Sequence, residues 1–192
     1  KNMVYNGNMI IDQRQKMPFT GTDSFTVDRW RAVKNYGSWS VTQSSGHAAE
    51  TGHNFALRVD STGNASMGST SYAEVYQRYE GFDLQHLMYG GPDAKYITLS
   101  FWVKSNRPGR YSVSWYVYTS GRRFNAYYDI ESPGEWEKKV ITIPPLFDHN
   151  IVDGSGIGAQ LEFWLSLGPN YTSHTSFWNT NYYGRDGQVN FM

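Results

Sequence analysis

Apolar and polar residues alternate along much of this chain, most cleanly in three stretches. In 97 to 104, "ITLSFWVK", Ile97, Leu99, Phe101 and Val103 share one parity, while Thr98, Ser100, Trp102 and Lys104 share the other. Side chains that repeat every second residue line one face of a strand, so the odd set is the core face. After the turn "SNRPGR", Tyr111, Val113, Trp115 and Val117 again fall together, against Ser112, Ser114, Tyr116 and Tyr118. The stretch "IGAQLEFWLSLG" repeats the scheme, with Ile157, Ala159, Leu161, Phe163, Leu165 and Leu167 opposite Gln160, Glu162, Trp164 and Ser166. Each strand therefore carries rings among small polar residues on its second face.

Weaker versions of the pattern predict strands at 2 to 11, 28 to 34, 38 to 43, 55 to 60, 73 to 80, 123 to 130 and 136 to 143. Turn residues separate them at "SGHAAETGHN", "DSTGNAS", "YGGPD", "SPGE" and "PPLFDHN". A single short helix is predicted over 82 to 89, "FDLQHLMY", stopped by Gly90-Gly91-Pro92. No repeat and no low-complexity linker divides the chain. The fold class expected is all-β: one two-sheet antiparallel β-sandwich domain over 1–192, a jelly roll of about ten strands with one short helix.

Composition narrows the function classes. At 192 residues, with 17 basic and 17 acidic side chains, the chain carries no net field to draw nucleic acid or an anionic membrane. Charged residues are only 18% and aromatics 17%, so rings rather than Leu and Ile carry the apolar content, as suits strands. Cysteine is absent, which rules out disulfides and thiolate chemistry. No apolar run is long enough to span a membrane, so no membrane insertion is expected. A start at Lys1 and an end inside "GQVNFM", which has the pattern of a strand beginning, point to a fragment of a longer chain with its closing strand missing.

The ionisable residues offer little chemistry. His47, His53, His86, His149 and His174 are scattered over predicted turns and the helix, without metal-ligand spacing. Asp148, Asn150 and Asp153 in "DHNIVDGSG" are placed to hold a structural calcium, but the EF-hand pattern fails at its fifth and sixth positions, and an Asx-rich turn explains them as well. No cofactor is expected. Glycoside hydrolysis needs two carboxyls about 5 to 10 Å apart. Glu74 and Glu80 share parity but stand about 20 Å apart along an extended strand. Glu135 and Glu137 flank Trp136 at a strand start and are expected to face solvent. No catalytic residue is assigned, and the chain is read as a non-enzyme.

The ring surplus is the remaining signal. A sugar presents a flat C–H face and a rim of hydroxyls, which a Trp or Tyr platform beside amides, carboxylates or guanidinium groups can hold. Trp102, Tyr116, Tyr118 and Trp164, with Gln160 and Glu162, form that mixture on the second face and are the candidate ligand-binding residues. The loop 168 to 187 adds Tyr171 and Trp178, and loops of its length tend to be functional. The alternative for each ring is packing beneath a loop or a neighbouring subunit.

Seven segments in order resemble a β-sandwich domain common in bacteriophage virion proteins. They are "NMVYNGNMIIDQRQ" (Asn6-Gly7-Asn8-Met9, Gln13-Arg14), "TVDRWRAV" (Asp28, Arg29, Trp30), "FALRV", "VYQRYEGFDLQHL", "ITLSFWVKS", "GEWEKKVITIP" and "LEFWLSLG", covering nearly all of 2 to 190. The resemblance implies a jelly roll related to carbohydrate-binding modules, carried on phage tail fibres, tail tubes or head appendages. It implies localisation to the virion after assembly in the host cytoplasm, with other virion proteins and a host cell-surface glycan as partners. A homo-oligomer, trimer or hexamer, is expected by analogy with symmetric tail appendages. No set of sugar-contacting residues carries over from that family. Two alternatives stand beside host attachment: a carbohydrate-binding module of a secreted polysaccharide-degrading enzyme, and a purely architectural virion spacer. The matched residues also have structural readings: Asn6-Gly7 as a tight turn, Arg29 as a lock over a ring, and Gln77 and Arg78 as ties from their strand to the following helix.

Overall fold

The structure, a computed structural model, describes residues 2–14, 17–173 and 177–192. Its strands are β1 (Asp23–Phe25), β2 (Trp30–Lys34), β3 (Trp39–Ser45), β4 (Phe55–Ser61), β5 (Tyr72–Glu80), β6 (Ile97–Val103), β7 (Gly109–Val117), β8 (Arg122–Ile130), β9 (Glu137–Ile143), β10 (Ile157–Leu167), β11 (Thr172–Ser173), β12 (Trp178–Asn179) and β13 (Gly184–Arg185). Seven of them make one antiparallel sheet in the order β1-β2-β5-β10-β7-β8-β12. The opposing layer is two separate antiparallel pairs, β3–β4 and β6–β9. The result is an all-β, two-layer sandwich.

Predicted strands and observed strands agree closely from β2 to β10, because one alternating face of each is buried. Ile97 and Leu99 of β6 meet Tyr111, Val113, Trp115 and Val117 of β7 and Ala159 and Leu161 of β10 in one core. A second core, built from Trp30, Ala32, Trp39, Val41, Ala73 and Val75, lies under β3–β4. Many of the chain's rings are therefore core material. The turn "SNRPGR" carries the chain from β6 in one layer to β7 in the other. A hairpin joins β7 to β8, and its turn has Gly121 at φ 65, a left-handed value that glycine adopts freely.

The helix appears one residue early, as α-turn Gly81–Leu84 running into a 3-10 turn, Gln85–Leu87. A second helical turn, Ala48–Thr51, occupies a stretch read as loop.

Residues 2 to 11 form no strand. Asn6 and Met9 have positive φ (47 and 56), which breaks the extended path. The Asn6 amide donates to the Ile11 carbonyl at 2.9 Å and the Asp28 carbonyl at 3.0 Å, while Trp30 Nε1 donates to the Asn6 carbonyl at 3.2 Å. Gln77, fully buried, grips the backbone of Tyr5: its Oε1 accepts from the Tyr5 N–H and its Nε2 donates to the Tyr5 carbonyl, both at 2.8 Å. So Gln77 ties the N-terminal segment, not the helix, to β5. Arg29 lies over the ring of Tyr5 with its guanidinium carbon 4.3 Å from the centroid, the ring contact expected for it.

Along β10 the parity reverses once. A register shift between Trp164 and Ser166 leaves Leu165 in the second core but turns Leu167 to the other face. There Leu167 meets Gly184, where an added Cβ would stand 2.4 Å from Leu167 Cδ1 and 2.5 Å from Ser112 Oγ.

Gln77→Ala removes both bonds of the clip and strands two backbone groups of Tyr5 inside the protein. Its expected cost is about 1 to 3 kcal/mol in equilibrium urea unfolding, with the far-ultraviolet strand signal retained. Parental stability in that variant contradicts the clip.

Candidate functional site

The site is the outer face of the seven-stranded sheet, the side turned away from both cores. Register places its side chains. Tyr76 and Arg78 of β5 stand opposite Glu162 and Gln160 of β10, and Gln160, Glu162 and Trp164 stand opposite Tyr116, Ser114 and Ser112 of β7. Tyr116, Ser114 and Ser112 in turn face Arg123, Asn125 and Tyr127 of β8.

At one end this face is covered. The C-terminal segment crosses it over residues 182 to 188 as a strap held by side chains of the sheet, beyond which Val189 packs against the first core and Phe191 and Met192 against the second. Asn125 Nδ2 donates to the Tyr182 carbonyl at 2.8 Å, and the Ser114 hydroxyl bonds the Tyr183 carbonyl while accepting from Trp164 Nε1 at 3.0 Å. Gln188 bridges the Ser112 N–H and the Trp164 carbonyl. Tyr183 stacks on Trp164 (5.4 Å between centroids, 15°) and on Tyr171 (4.6 Å, 13°).

Trp164 is accordingly 3% exposed, and Gln160 and Glu162 are 5% and 1% exposed. These three residues do not form an open platform: Trp164 lies under Tyr183 of the strap, Glu162 under Arg123, and Gln160 is enclosed by its bonds to Arg78, Tyr118 and Glu162. Trp178 is also not a platform. It closes an edge of the first core on β12, packed against Phe124 and Tyr89, with Nε1 donating to the Pro145 carbonyl at 3.2 Å. Tyr171 is half-buried in the ring column. Trp102 is half-buried on the far side of the sandwich: β6 belongs to the second layer, and Trp102 pairs across with Lys138 of β9. The six residues grouped by parity thus divide between two opposite surfaces.

Under the strap sits a buried ion pair. Arg123 forks onto Glu162, Nε to Oε2 at 2.8 Å and an Nη to Oε1 at 3.0 Å. Its guanidinium carbon lies 4.1 Å from the Tyr116 centroid and 4.4 Å from that of Tyr183. Gln160 Nε2 donates to Glu162 Oε1 at 3.1 Å, and Gln160 Oε1 accepts from Arg78 Nε at 2.8 Å and from the Tyr118 hydroxyl at 2.9 Å. A continuous chain of charge-assisted bonds runs from Arg123 beneath the strap to Arg78 at the open end.

Glu74, on the same face, is buried with Oε2 lacking a partner. Burial first, and then the charge of Glu162, push its pKa well above the usual carboxylate range. Burial pushes Glu162 up as well, opposed by the charge and bonds of Arg123. With both Glu162 oxygens bonded to Arg123, Glu162 keeps the charge and Glu74 the proton. Sugar hydrolysis also uses one protonated and one ionised carboxyl, but these two lie under rings and strap, where no substrate reaches them.

The open end is formed by Arg78, Tyr116 and Tyr118, all half-buried, over the floor of Tyr76 and Gln160. The Tyr116 and Tyr118 rings stand 4.7 Å apart. Tyr76 has the guanidinium carbons of Arg78 and Arg31 at 5.1 and 5.7 Å from its centroid. At the β8 side, Tyr127 is 39% exposed, with Arg110 3.9 Å from its centroid. Tyr76, Arg78 and Tyr127 were not singled out as contacts, although the same alternation that selected Tyr116 selects them once the strands are aligned.

Among the described residues no cluster of three or more His, Asp or Glu is arranged to hold a metal ion. Asp148 lies 3.7 Å from Arg122 and 3.0 Å from His149, and Asn150 packs against Gly90. Glu137 accepts the Glu131 and Ser132 N–H groups and pairs with Lys139, where exposure to solvent had been expected. His174 lies outside the described residues.

No family model matches this chain, and no curated protein matches it. Among solved structures it is similar to the family 11 carbohydrate-binding module from Clostridium thermocellum in complex with β-1,3-1,4-mixed-linked tetrasaccharide. The two are 14% identical, with a TM-score of 0.40 over 78% of this chain and 86% of that one.

Two stability experiments check the buried network. Arg123→Met alone leaves Glu162 charged and unpaired, an expected loss of about 3 to 5 kcal/mol, and adding Glu162→Leu recovers most of it. Urea unfolding of the single and double variants decides this; a single variant within about 1 kcal/mol of the parent rules out a buried pair. A carboxyl whose pKa is raised by folding contributes stability that is full below its unfolded value and lost as pH climbs through the folded one. Glu74→Gln keeps the shape without the titration, so its melting temperature is expected above the parent's at pH 8 and close to it at pH 4. Equal shifts at both pH values would contradict a protonated Glu74.

Proposed function

We propose that this chain is a non-catalytic glycan-binding module, carried on a phage virion as part of a tail fibre or related appendage and used for attachment to the host surface. The observation that carries the glycan reading is the open end of the outer face. Two tyrosine rings 4.7 Å apart stand beside a guanidinium and an amide whose orientations are fixed by the Arg123–Glu162 pair. Rings supply the platform for a sugar's C–H face, and fixed donors meet its hydroxyls at little entropic cost. Tyr118 offers its half-exposed ring, while its hydroxyl, which donates to Gln160 Oε1, is left to accept from a ligand. The virion setting rests on the seven ordered segments that resemble phage β-sandwich domains, and with it the symmetric oligomer.

A glycan array probed with the folded chain tests the reading. Binding to at least one oligosaccharide class is expected, weakened by about 1 to 2 kcal/mol in Tyr118→Ala when titrated by calorimetry. A silent array, or an affinity indifferent to Tyr118→Ala in a folded variant, would sink it.

A further inference from the structure

Arg78 differs from the other cations of the outer face. Arg31 bonds Asp23 at 2.6 Å, Arg110 bonds Asp129 at 3.3 Å, and Arg123 holds Glu162 in a fork. Arg78 donates through Nε to the neutral amide of Gln160, and no ion pair joins it to a carboxylate among the described residues. The two acids buried nearby do not serve it: Glu162 is taken by Arg123, and Glu74 stands with an unpartnered oxygen inside. On a chain of zero net charge, this end of the face therefore keeps one uncompensated positive charge.

That charge is also aimed. Gln160 is locked by Glu162 on one side and Tyr118 on the other, so the Nε bond fixes the plane of the Arg78 guanidinium. Rings of Tyr76 and Tyr118, 5.1 and 5.7 Å from its central carbon, bound it. A planar fork held between aromatic walls and lacking a carboxylate is built to receive one, or another oxyanion of similar shape.

We propose that the open end binds an acidic saccharide, one bearing a carboxylate, sulfate or phosphate, with Arg78 receiving the anionic group while the sugar ring lies against Tyr118. The inference rests on the glycan reading and adds the ligand's charge to it. It assigns Arg78 as a ligand contact, in place of the tie to the following helix expected from sequence.

Titration of the folded chain with tetragalacturonate, its methyl ester, a chondroitin sulfate tetrasaccharide and cellotetraose tests the proposal. At least one acidic probe is expected to bind, about tenfold or more tighter than the two neutral probes. Its affinity should fall as sodium chloride rises from about 20 to about 300 mM. Arg78→Gln should cost that probe about tenfold or more and the neutral ones much less, and Arg78→Lys should fall between. Neutral probes binding as tightly as acidic ones, or Arg78→Gln without effect, would overturn the acidic assignment and leave the glycan reading standing. No binding to any probe, together with a silent array, overturns both. If Arg78→Gln does not fold, the ester comparison and salt dependence on the parent chain still decide.

Discussion

A strand covered on both faces has no place to leave a polar group unpaired, and β10 is such a strand. Ala159 and Leu161 face one core, while Gln160, Glu162 and Trp164 are buried on the other side. A carboxylate in that position is tolerable only with a cation against it, and Arg123 supplies the cation with both Glu162 oxygens bonded. Much else follows from the pair. Tyr183 and Tyr116 flank the guanidinium, the strap is fixed where Tyr183 must sit, and Gln160 is turned so that its carbonyl oxygen meets Arg78 and Tyr118. An interior electrostatic requirement thus dictates the orientation of groups at the surface.

The strands from β2 to β10 were legible because each buries one alternating face, and burial is what period-two patterning records. Side-chain pinning has no such signature. Residues 2 to 11 look extended by composition, yet their path is set by Asn6 and by Gln77, which lies 72 positions from Tyr5. The reversal at Leu165 is likewise invisible, since one extra residue in a ladder leaves the apolar count unchanged.

The candidate site was half legible for a related reason. Parity tells which face of a strand a residue takes but not which layer the strand joins, so Trp102 was grouped with Trp164 although they lie on opposite sides. Serines at 112 and 114 look like surface residues, but they are equally what a close-fitting strap requires, with Gly184 descending onto Ser112. Tyr116, Tyr118 and Gln160 do lie together on the outer face. Arg78 was seen without its role, because its meaning depends on a missing neighbour, and a sequence shows only the residues that are present.

The second layer is divided, and among the described residues only Val4 and Phe163 pack against both cores. The open end of the outer face is backed by the first core, through Tyr79, Trp115, Val117, Ala159 and Leu161. Remodelling beneath β3–β4 has few routes by which to disturb it. The domain can therefore drift in sequence at one extremity while its open end stays rigid, which makes the sandwich divisible in evolution although it is continuous in its main sheet.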